Sequence, residues 1–477
     1  MKPVLIIICM AILSNEISSK FLRSLQSSTN SYNYDSYSAI STNTNLSNEN
    51  LESKTSDQSV VYITQSEITI TGSTLTKESG DSSNTENSEF YGVNAAVLVQ
   101  GGGVTISGGT ITTKAKGANA LCATNGGTVT ISNTNIVSTG ESSARGLHAT
   151  YGGSITADKV NVSSKGGSCA TLATDRGEGT VTCSGCTLST AGAGSPLIYS
   201  TGQITVTDST TGTSTGAQAV VVEGKNTATV KDSTLKCSGN GNRENSDKSD
   251  KVDKCGVMLY QSMSGDADSG TSTFNCEKST IEILSDSNVY SSAPMFFITN
   301  TDASINLNNC EFKYGSSIFL SAGGTSAWGT SGTNGGVVSL TLINQNLEGD
   351  FVVDAYSGLT IILTQGSKLK GIINTAKTAA KIEINIDETS SIELTGDSYY
   401  TSLTNSGSDN INVGSYKWEK VDSSEISRPT GNQGGPGGDG HDMPNDRQQP
   451  PSSSRNETTS KSNYINISIL LLLFALF

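Results

Sequence analysis

Hydrophobic and polar residues alternate in short runs along most of the chain, and these runs recur at a regular interval. Between residues 96 and 239 each unit holds three brief segments rich in Val, Ile and Thr, separated by Gly, Asn, Asp and Ser. Short strands joined by tight turns have this pattern, whereas an amphipathic helix repeats its apolar residues with a longer period. The pattern therefore predicts strands and turns rather than helices.

The repeating units have a nearly constant length. Their openings are at Val97, Leu121, Leu147, Thr171, Leu197 and Val220. These positions lie 24, 26, 24, 26 and 23 residues apart, and self-similarity at such a period is typical of a solenoid. One such unit buries too few apolar side chains to offset the conformational entropy of ordering its backbone, so the units must stack on one another.

Three strands and three turns in each unit describe one coil of a parallel β-helix. We predict an all-β protein, a right-handed parallel β-helix of about 11–14 coils, over residues 59–421. Its last residues, 397–421, are rich in aromatic side chains and are expected to form a C-terminal cap over the open end. Three stretches interrupt the period, at residues 78–90, 239–254 and 322–336, and we expect them to be displayed loops.

The N-terminal end of the chain has a different character. Residues 1–19 combine a positive start with a short apolar core and small polar residues, which predicts a signal peptide. Residues 20–58 are rich in Ser, Asn and Tyr and are interpreted as a flexible arm or an N-terminal cap.

The composition of the C-terminal end predicts a stalk and a membrane anchor. Residues 422–454 are rich in Pro and Gly and should form a disordered stalk. Residues 455–477 form a polar spacer and a hydrophobic tail that is short for a membrane-spanning helix. This arrangement favours a GPI-attachment signal, and a short retained anchor is the alternative. The candidate attachment residues are Ser452, Ser453 and Ser454. We therefore expect a secreted protein held at the cell surface by a lipid anchor.

The cysteine count agrees with export. Eight cysteines remain once the predicted signal peptide is removed, and an even number in a secreted chain suggests disulfides. Cys237 and Cys255 bracket an insertion and are the plainest pair. The other candidates are Cys183 with Cys186, Cys276 with Cys310, and the remaining Cys122 and Cys169. The alternative is that several are small buried residues of the core.

Charge and composition limit the partners. The formal net charge of −14 disfavours nucleic acid, which requires a basic surface. A single CxxC and two histidines do not make a zinc site, so neither a metal nor another cofactor is expected. Three triplets are candidate glycosylation sites, beginning at Asn45, Asn161 and Asn456.

One group of residues is a candidate for catalysis. Arg145, Asp175 and Arg176 fall on successive coils near His148. A polysaccharide lyase would use a basic residue as the base, and a hydrolase would use paired carboxylates. The competing interpretation, which we favour, is a solvated turn with a surface ion pair.

The repeat resembles a known superfamily. The segment Val104–Ile111, with its echo at Val129–Ile136, resembles the pectin-lyase-like right-handed β-helices and is most similar to adhesin-like microbial surface proteins. The segment Ser391–Ser398, followed by Thr401–Leu403, is similar to the terminal coil of that group. The resemblance covers about residues 60 to 420. The catalytic motifs of the superfamily's enzymes (Asn-x-Asp, paired Asp, Gly-His-Gly and Arg-x-Lys) have no counterpart here, so no catalytic residue carries over.

These observations lead to three functional hypotheses. The first is a non-catalytic surface β-helix that displays loops to bind glycans or a host or neighbouring cell. The second is a polysaccharide lyase or hydrolase that uses Arg145, Asp175 and Arg176. The third is a structural coat protein that separates the membrane from its surroundings.

Overall fold

The structure is a computed structural model that describes residues 44–243 and 252–427. Its strands form long, entirely parallel sheets, as the repeat predicts. Sheet 1 contains 14 strands, so the described residues form 14 coils. Parallel crossovers within one sheet are right-handed. The prediction of a right-handed parallel β-helix of 11–14 coils is confirmed.

The chain passes in turn through sheets 1, 2 and 3 in most coils. The strands of sheet 1 are Leu46–Ser47, Ile68–Thr71, Gly103–Ser107, Thr128–Ser132, Ser154–Asp158, Thr180–Ser184, Gln203–Thr207, Thr227–Lys231, Thr271–Glu277, Asp302–Asn308, Val337–Ile343, Gly358–Thr364, Lys381–Ile386 and Ser402–Asn405. The strands of sheet 2 are Asn50–Ser53, Thr74–Lys77, Thr110–Thr113, Asn135–Ser138, Asn161–Ser164, Thr187–Thr190, Thr211–Ser214, Thr234–Cys237, Thr280–Ile283 and Glu311–Lys313.

Sheet 3 and two smaller sheets complete the coils. The strands of sheet 3 are Val61–Ile63, Val97–Gln100, Leu121–Thr124, Leu147–Ala149, Leu172–Thr174, Ile198–Ser200, Val220–Glu223, Val257–Tyr260, Phe296–Thr299, Ile318–Ala322 and Asp350–Val353. In the last coils sheet 4 follows sheet 1 along the chain; its strands are Asn346–Glu348, Lys368–Gly371, Ser391–Leu394 and Ile411–Asn412. Sheet 5 pairs Ser398–Tyr400 with Trp418–Lys420.

Sheet 1 shows why the strands form where they do. Val104, Ile106 and their counterparts in coils 2–13 point inward and are buried, while the residue between them points outward. The outward residues between coils 2 and 8 are all threonine and lie in register, at Thr69, Thr105, Thr130, Thr156, Thr182, Thr205 and Thr229. Threonine favours extended backbone because its side chain is β-branched, so these outward residues support the strand without adding to the core.

The residue types that fill the core change along the β-helix axis. In the early coils it holds Val, Ile, Leu and Ala, but from residue 271 onward four strands of sheet 1 lengthen to seven residues each. Phenylalanine then enters the column, with Phe296 in edge-to-face or tilted contact with Phe274, Phe312 and Phe319 at 5.2–5.6 Å between ring centroids. Larger side chains occupy the wider cross-section and keep the interior filled.

Paired strands extend into both predicted ends of the β-helix. Strands Leu46–Ser47 and Asn50–Ser53 already pair with the next coil, so the solenoid includes residues assigned to an arm or cap before residue 59. Their Leu46 and Leu51 pack against the core. The predicted cap is itself a final coil, in which the rings of Tyr400 and Trp418 lie 4.6 Å apart.

Several expectations fall largely or wholly outside the described residues. They are the signal peptide at residues 1–19, most of the stalk and the tail at residues 455–477. Of the stalk, residues 422–427 are described, and Ser424 N–H donates to the Ala380 carbonyl at 2.9 Å. In the described ranges no helix has the length and apolar character to span a membrane.

Candidate functional site on the outer face of sheet 3

Sheet 3 is unlike sheet 1 because its outward residues are mostly apolar and mostly buried. The register aligns Leu98, Cys122, His148, Ala173, Tyr199, Val221 and Met258 along this outer face. Three insertions account for the burial: residues 78–95, 261–270 and 322–336, here named the first, second and third covers. Each folds back onto the sheet.

The first cover contains the helix Thr85–Tyr91, in a stretch for which the sequence predicted only a polar loop. The helix begins where the Asn84 side chain accepts a hydrogen bond from Glu86 N–H, and it ends at Gly92, whose φ of 72° is left-handed. Around it, Ala95, Leu98 and Cys122 form a small apolar cluster outside the main core. Local capping and packing against sheet 3 thus stabilise a helix that is too short to form alone.

A buried ion pair fixes this helix to the sheet. Arg145 Nη1 lies 3.1 Å from Asp175 Oδ2 in the next coil, and Arg145 Nη2 lies 3.6 Å from Glu89 Oε1 on the helix. Only 8% of the Arg145 side chain and 3% of the Asp175 side chain is exposed. Burial raises the pKa of Asp175 and outweighs the attraction of Arg145, which lowers it. The guanidinium thus connects the wall of the β-helix to its cover.

His148 is also part of this contact. Its Nε2 lies 2.6 Å from the carbonyl oxygen of Glu89, and because a carbonyl only accepts, Nε2 carries the proton. The ring is fully buried. Burial, followed by the nearby positive charge of Arg145, lowers the pKa of His148 to about 3. The imidazole is therefore neutral and serves as a hydrogen-bond donor to the helix.

Arg176 connects the first cover to the second. Its guanidinium carbon lies 3.8 Å from the centroid of the Phe90 ring, and its Nη2 lies 3.4 Å from Asp266 Oδ1. The side chain is 40% exposed, so this contact lies at the surface of the protein, whereas the Arg145 pair lies beneath it. Guanidinium groups are suited to this double role because they stack on rings and pair with carboxylates at the same time.

The second cover closes over a buried carboxylate. Glu223 Oε2 accepts hydrogen bonds from Tyr199 Oη at 2.6 Å and Tyr260 Oη at 2.8 Å, and Oε1 accepts from the backbone N–H and hydroxyl of Ser262. Burial raises the pKa of Glu223, and these hydrogen bonds oppose the rise. All the carboxylate's partners are neutral donors, so it holds the loop in place by hydrogen bonding rather than by ion pairing.

The third cover places an aromatic ring on the sheet. Trp328 is buried with Val221, Cys255 and Met258, and its ring meets Tyr260 edge-on with centroids 5.1 Å apart. The buried Asn334 amide donates to the carbonyls of Thr325 and Trp328 at 2.6 Å each and so shapes the loop.

The insertion at residues 239–254 is described only at its two ends. There, Asp253 accepts hydrogen bonds from the N–H groups of Asn242 and Arg243.

The catalytic candidates therefore have roles different from those expected. The interpretation of a solvated turn with a surface ion pair is wrong for Arg145 and Asp175, because the first cover buries both. It fits Arg176, whose partner Asp266 comes from a distant loop. Sequence reasoning missed Glu89 and Glu223, since only the fold brings these acids to the same face.

Two cysteine pairs are bonded. Cys183 joins Cys186 within one coil, and Cys276 joins Cys310 across two neighbouring coils. The favoured pair Cys237–Cys255 is not formed, because Cys237 belongs to the central core whereas Cys255 belongs to the outer layer beneath Trp328. The two other cysteines, Cys122 and Cys169, are free and buried, and burial raises the pKa of the Cys122 thiol to about 12.

The predicted glycosylation residues are placed as follows. Asn45 is exposed, and its side-chain oxygen accepts a hydrogen bond from Thr69 N–H at 2.9 Å. Asn161 is exposed on the outer face of sheet 2. Asn456 and the anchor candidates Ser452, Ser453 and Ser454 lie outside the described residues.

No protein-family model, no curated protein and no solved structure matches the chain. Within residues 44–243 and 252–427, no group of three or more His, Cys, Asp and Glu side chains is placed to hold a metal ion.

Proposed function

We propose that this protein is a non-catalytic, adhesin-like β-helix of the cell surface that binds glycans or a host or neighbouring cell. One observation favours this hypothesis over the enzyme hypothesis: Arg145 and Asp175 pair with each other beneath the first cover. A catalytic acid or base must come within hydrogen-bond reach of the substrate. Side chains that are 8% and 3% exposed and engaged with Glu89 and each other are suited to positioning a loop.

The superfamily assignment is part of the proposal. A parallel β-helix with 14 coils supports the resemblance to pectin-lyase-like proteins at the level of fold. Placement among the adhesin-like members rests on the repeat and on the terminal segment Ser391–Ser398.

Tethering to the membrane is proposed from the ends of the chain. Residues 1–19 and 455–477 have the composition of a signal peptide and a GPI-attachment signal, with attachment at Ser452, Ser453 or Ser454. Treatment of intact cells with a phosphatidylinositol-specific phospholipase C should release the protein into the medium. Protein that stays on the cells would favour a retained hydrophobic anchor.

Binding is tested with the full chain expressed on a heterologous cell. We expect these cells to bind to a glycan array or to other cells more strongly than untransfected cells do. An absence of binding to every glycan and cell type tested would favour the structural coat protein.

The enzyme hypothesis is tested separately. The same protein is incubated with acidic and neutral polysaccharides, with and without Ca²⁺, and products are followed by size and by ultraviolet absorbance. Activity that Arg176→Ala abolishes would overturn the non-catalytic proposal.

A further inference from the structure

The last described residues of the chain run back along the side of the β-helix. Val421 N–H donates to the carbonyl of Tyr400 at 2.8 Å, and Ser424 N–H donates to the carbonyl of Ala380 at 2.9 Å. These two carbonyls lie just before the sheet 1 strands of coils 14 and 13, counted by the strands of that sheet. The segment therefore moves from the last coil to the one before it within three residues.

A glycine extends this course by one more coil. Gly358 begins the sheet 1 strand of coil 12, and a Cβ added there would lie 2.7 Å from Ile426 Cδ1. A side chain at residue 358 would therefore displace Ile426, which is partly buried at this contact. Between residues 421 and 426 the chain has passed over the ends of three successive strands of sheet 1, toward the N-terminal end of the β-helix.

Exposed apolar side chains lie next on this course. Tyr356 belongs to the turn that leads into Gly358, and its ring points toward the third cover, where a Cβ added at Gly332 would lie 3.9 Å from Tyr356 Cε1. Val352 lies on the strand before this turn. Among the described residues the exposed large hydrophobic side chains are Val352 at 48%, Tyr356 at 44% and Tyr416 at 42%. Two of these three therefore lie next to the end of the described chain.

The residues that follow in the sequence can reach this surface. Arg428 and Pro429 come two and three positions after Ile426, which is about 7–10 Å of extended chain at about 3.3 Å per residue. Neighbouring coils are about 4.8 Å apart, so one further coil is within reach. Guanidinium groups stack on aromatic rings, and proline-containing segments bind aromatic surfaces. The start of residues 428–436 thus suits the ring of Tyr356.

The charge of the turn also matches this segment. Asp354 lies in the same turn as Tyr356, and its carboxylate accepts hydrogen bonds from the N–H groups of Gly324 at 2.8 Å and Tyr356 at 3.0 Å. Both donors are neutral, so they do not balance the negative charge. Arg428 is the single charged residue of the segment 428–436, and it is a cation that can pair with this carboxylate.

We propose that residues 421–436 form a strap along the corner between sheets 3 and 1, in which residues 428–436 cover Tyr356 and Val352. The described part of the strap is held by two backbone hydrogen bonds and by Ile426 on Gly358. The strap connects the last coils to the turn beside the third cover, and it protects an end of the solenoid whose strand edges are unpaired. This inference is independent of the proposed adhesive function.

The test is hydroxyl-radical footprinting of the full chain, expressed on heterologous cells and purified in detergent. Tyr356 and Tyr416 have nearly equal exposure in the described chain, so Tyr416 is an internal standard. We expect Tyr356 to be modified about fivefold more slowly than Tyr416, because a ring in contact with the strap exposes little surface. Replacing residues 428–436 by Gly and Ser should bring the two rates within about twofold of each other. The same replacement of residues 437–445 is the matched control and should leave Tyr356 protected.

A second variant tests the described contact. Ile426→Ser removes the apolar side chain on Gly358 and should increase the modification of Tyr356 without altering that of Tyr416. Equal modification of both tyrosines in the native protein would overturn the strap. Protection of Tyr356 that survives both Ile426→Ser and the replacement of residues 428–436 would also overturn it. Loss of that protection on dilution would then identify a second copy of the chain as the occupant, and protection at every concentration would identify another partner.

Discussion

Arg145 and Asp175 lie on adjacent coils with Nη1 and Oδ2 3.1 Å apart, and both are covered by a seven-residue helix from an insertion. The pair connects three separate parts of the chain, because Glu89 of the helix contacts the same guanidinium at 3.6 Å. A surface ion pair would contribute little to stability. This pair is buried, so removing one partner leaves a charge that water cannot reach.

Asp175→Asn tests the strength of this contact. We expect it to lower the free energy of unfolding by about 3 kcal/mol, because Arg145 would keep only the more distant Glu89 as a counterion. The matched control is Glu78→Gln, which removes the exposed pair of the same cover with Lys114 at 2.7 Å and should cost less than about 1 kcal/mol. Urea unfolding followed by circular dichroism measures both. Equal losses would show that the Arg145 pair is no stronger than a surface contact.

His148 should make stability depend on pH. Its pKa in the folded protein, about 3, lies below the ordinary value near 6.5, so the unfolded chain binds the proton more readily. Stability from this residue is therefore present above pH 6.5 and is lost as pH falls toward 3. The free energy of unfolding of the native protein, minus that of His148→Gln, should fall by about 2 kcal/mol between pH 7 and pH 5. A difference that stays constant with pH would contradict a buried neutral imidazole.

Gly92 at the end of the helix tests how closely the first cover is packed. A Cβ at this residue would lie 2.5 Å from Cys122 Sγ, on a backbone with φ of 72°. Left-handed strain alone would lower the free energy of unfolding of Gly92→Ala by about 1–2 kcal/mol, and the clash with Cys122 should increase this loss. The variant should also raise the rate at which Cys122 reacts with a pyridyl disulfide. Gly126→Ala has the same strain, φ 75°, with nothing within 4 Å of the added carbon. If both variants lose the same free energy of unfolding, the first cover accommodates the added methyl group by moving away from Cys122.

The two disulfides should differ in their effect on stability. In the chain-entropy account a bond constrains the unfolded state more when it closes a longer loop. Cys276 and Cys310 are 34 residues apart, whereas Cys183 and Cys186 are 3 apart. Replacing both members by Ala should cost about 4 kcal/mol for the first bond and about 2 kcal/mol for the second. Thermal unfolding of both double variants measures the order, and the reverse order would contradict this account.

Most of the fold could be predicted from local pattern. Residues such as Val104 and Ile106 alternate with Thr105 in a strand with one face buried and one exposed, and the repeat of that alternation requires stacked coils. The candidate site was harder to predict. Arg145 and Asp175 stood out as charged residues on successive coils, but Glu89 lies 56 positions before Arg145 and is separated from it by two coils.

A further signal for the covers was present in the sequence. Three strands of sheet 3 are unbroken apolar runs, at residues 97–99, 220–222 and 257–259. In these strands apolar residues do not alternate with polar ones. Such runs are typical of strands that are buried on both faces. They indicate that something covers sheet 3, but they do not say which of the insertions does so.

By itself the sequence determined the strands of the repeat, their stacking and a range of about 11–14 coils, because each of these depends on the side-chain alternation within about 24 residues and on its repetition. Only the tertiary structure decided that the insertions lie on sheet 3, that Arg145 and His148 are buried, and that Cys237 and Cys255 pack into different apolar clusters. These features depend on contacts between residues far apart in the chain, where burial and distance set the strength of each charge and bond.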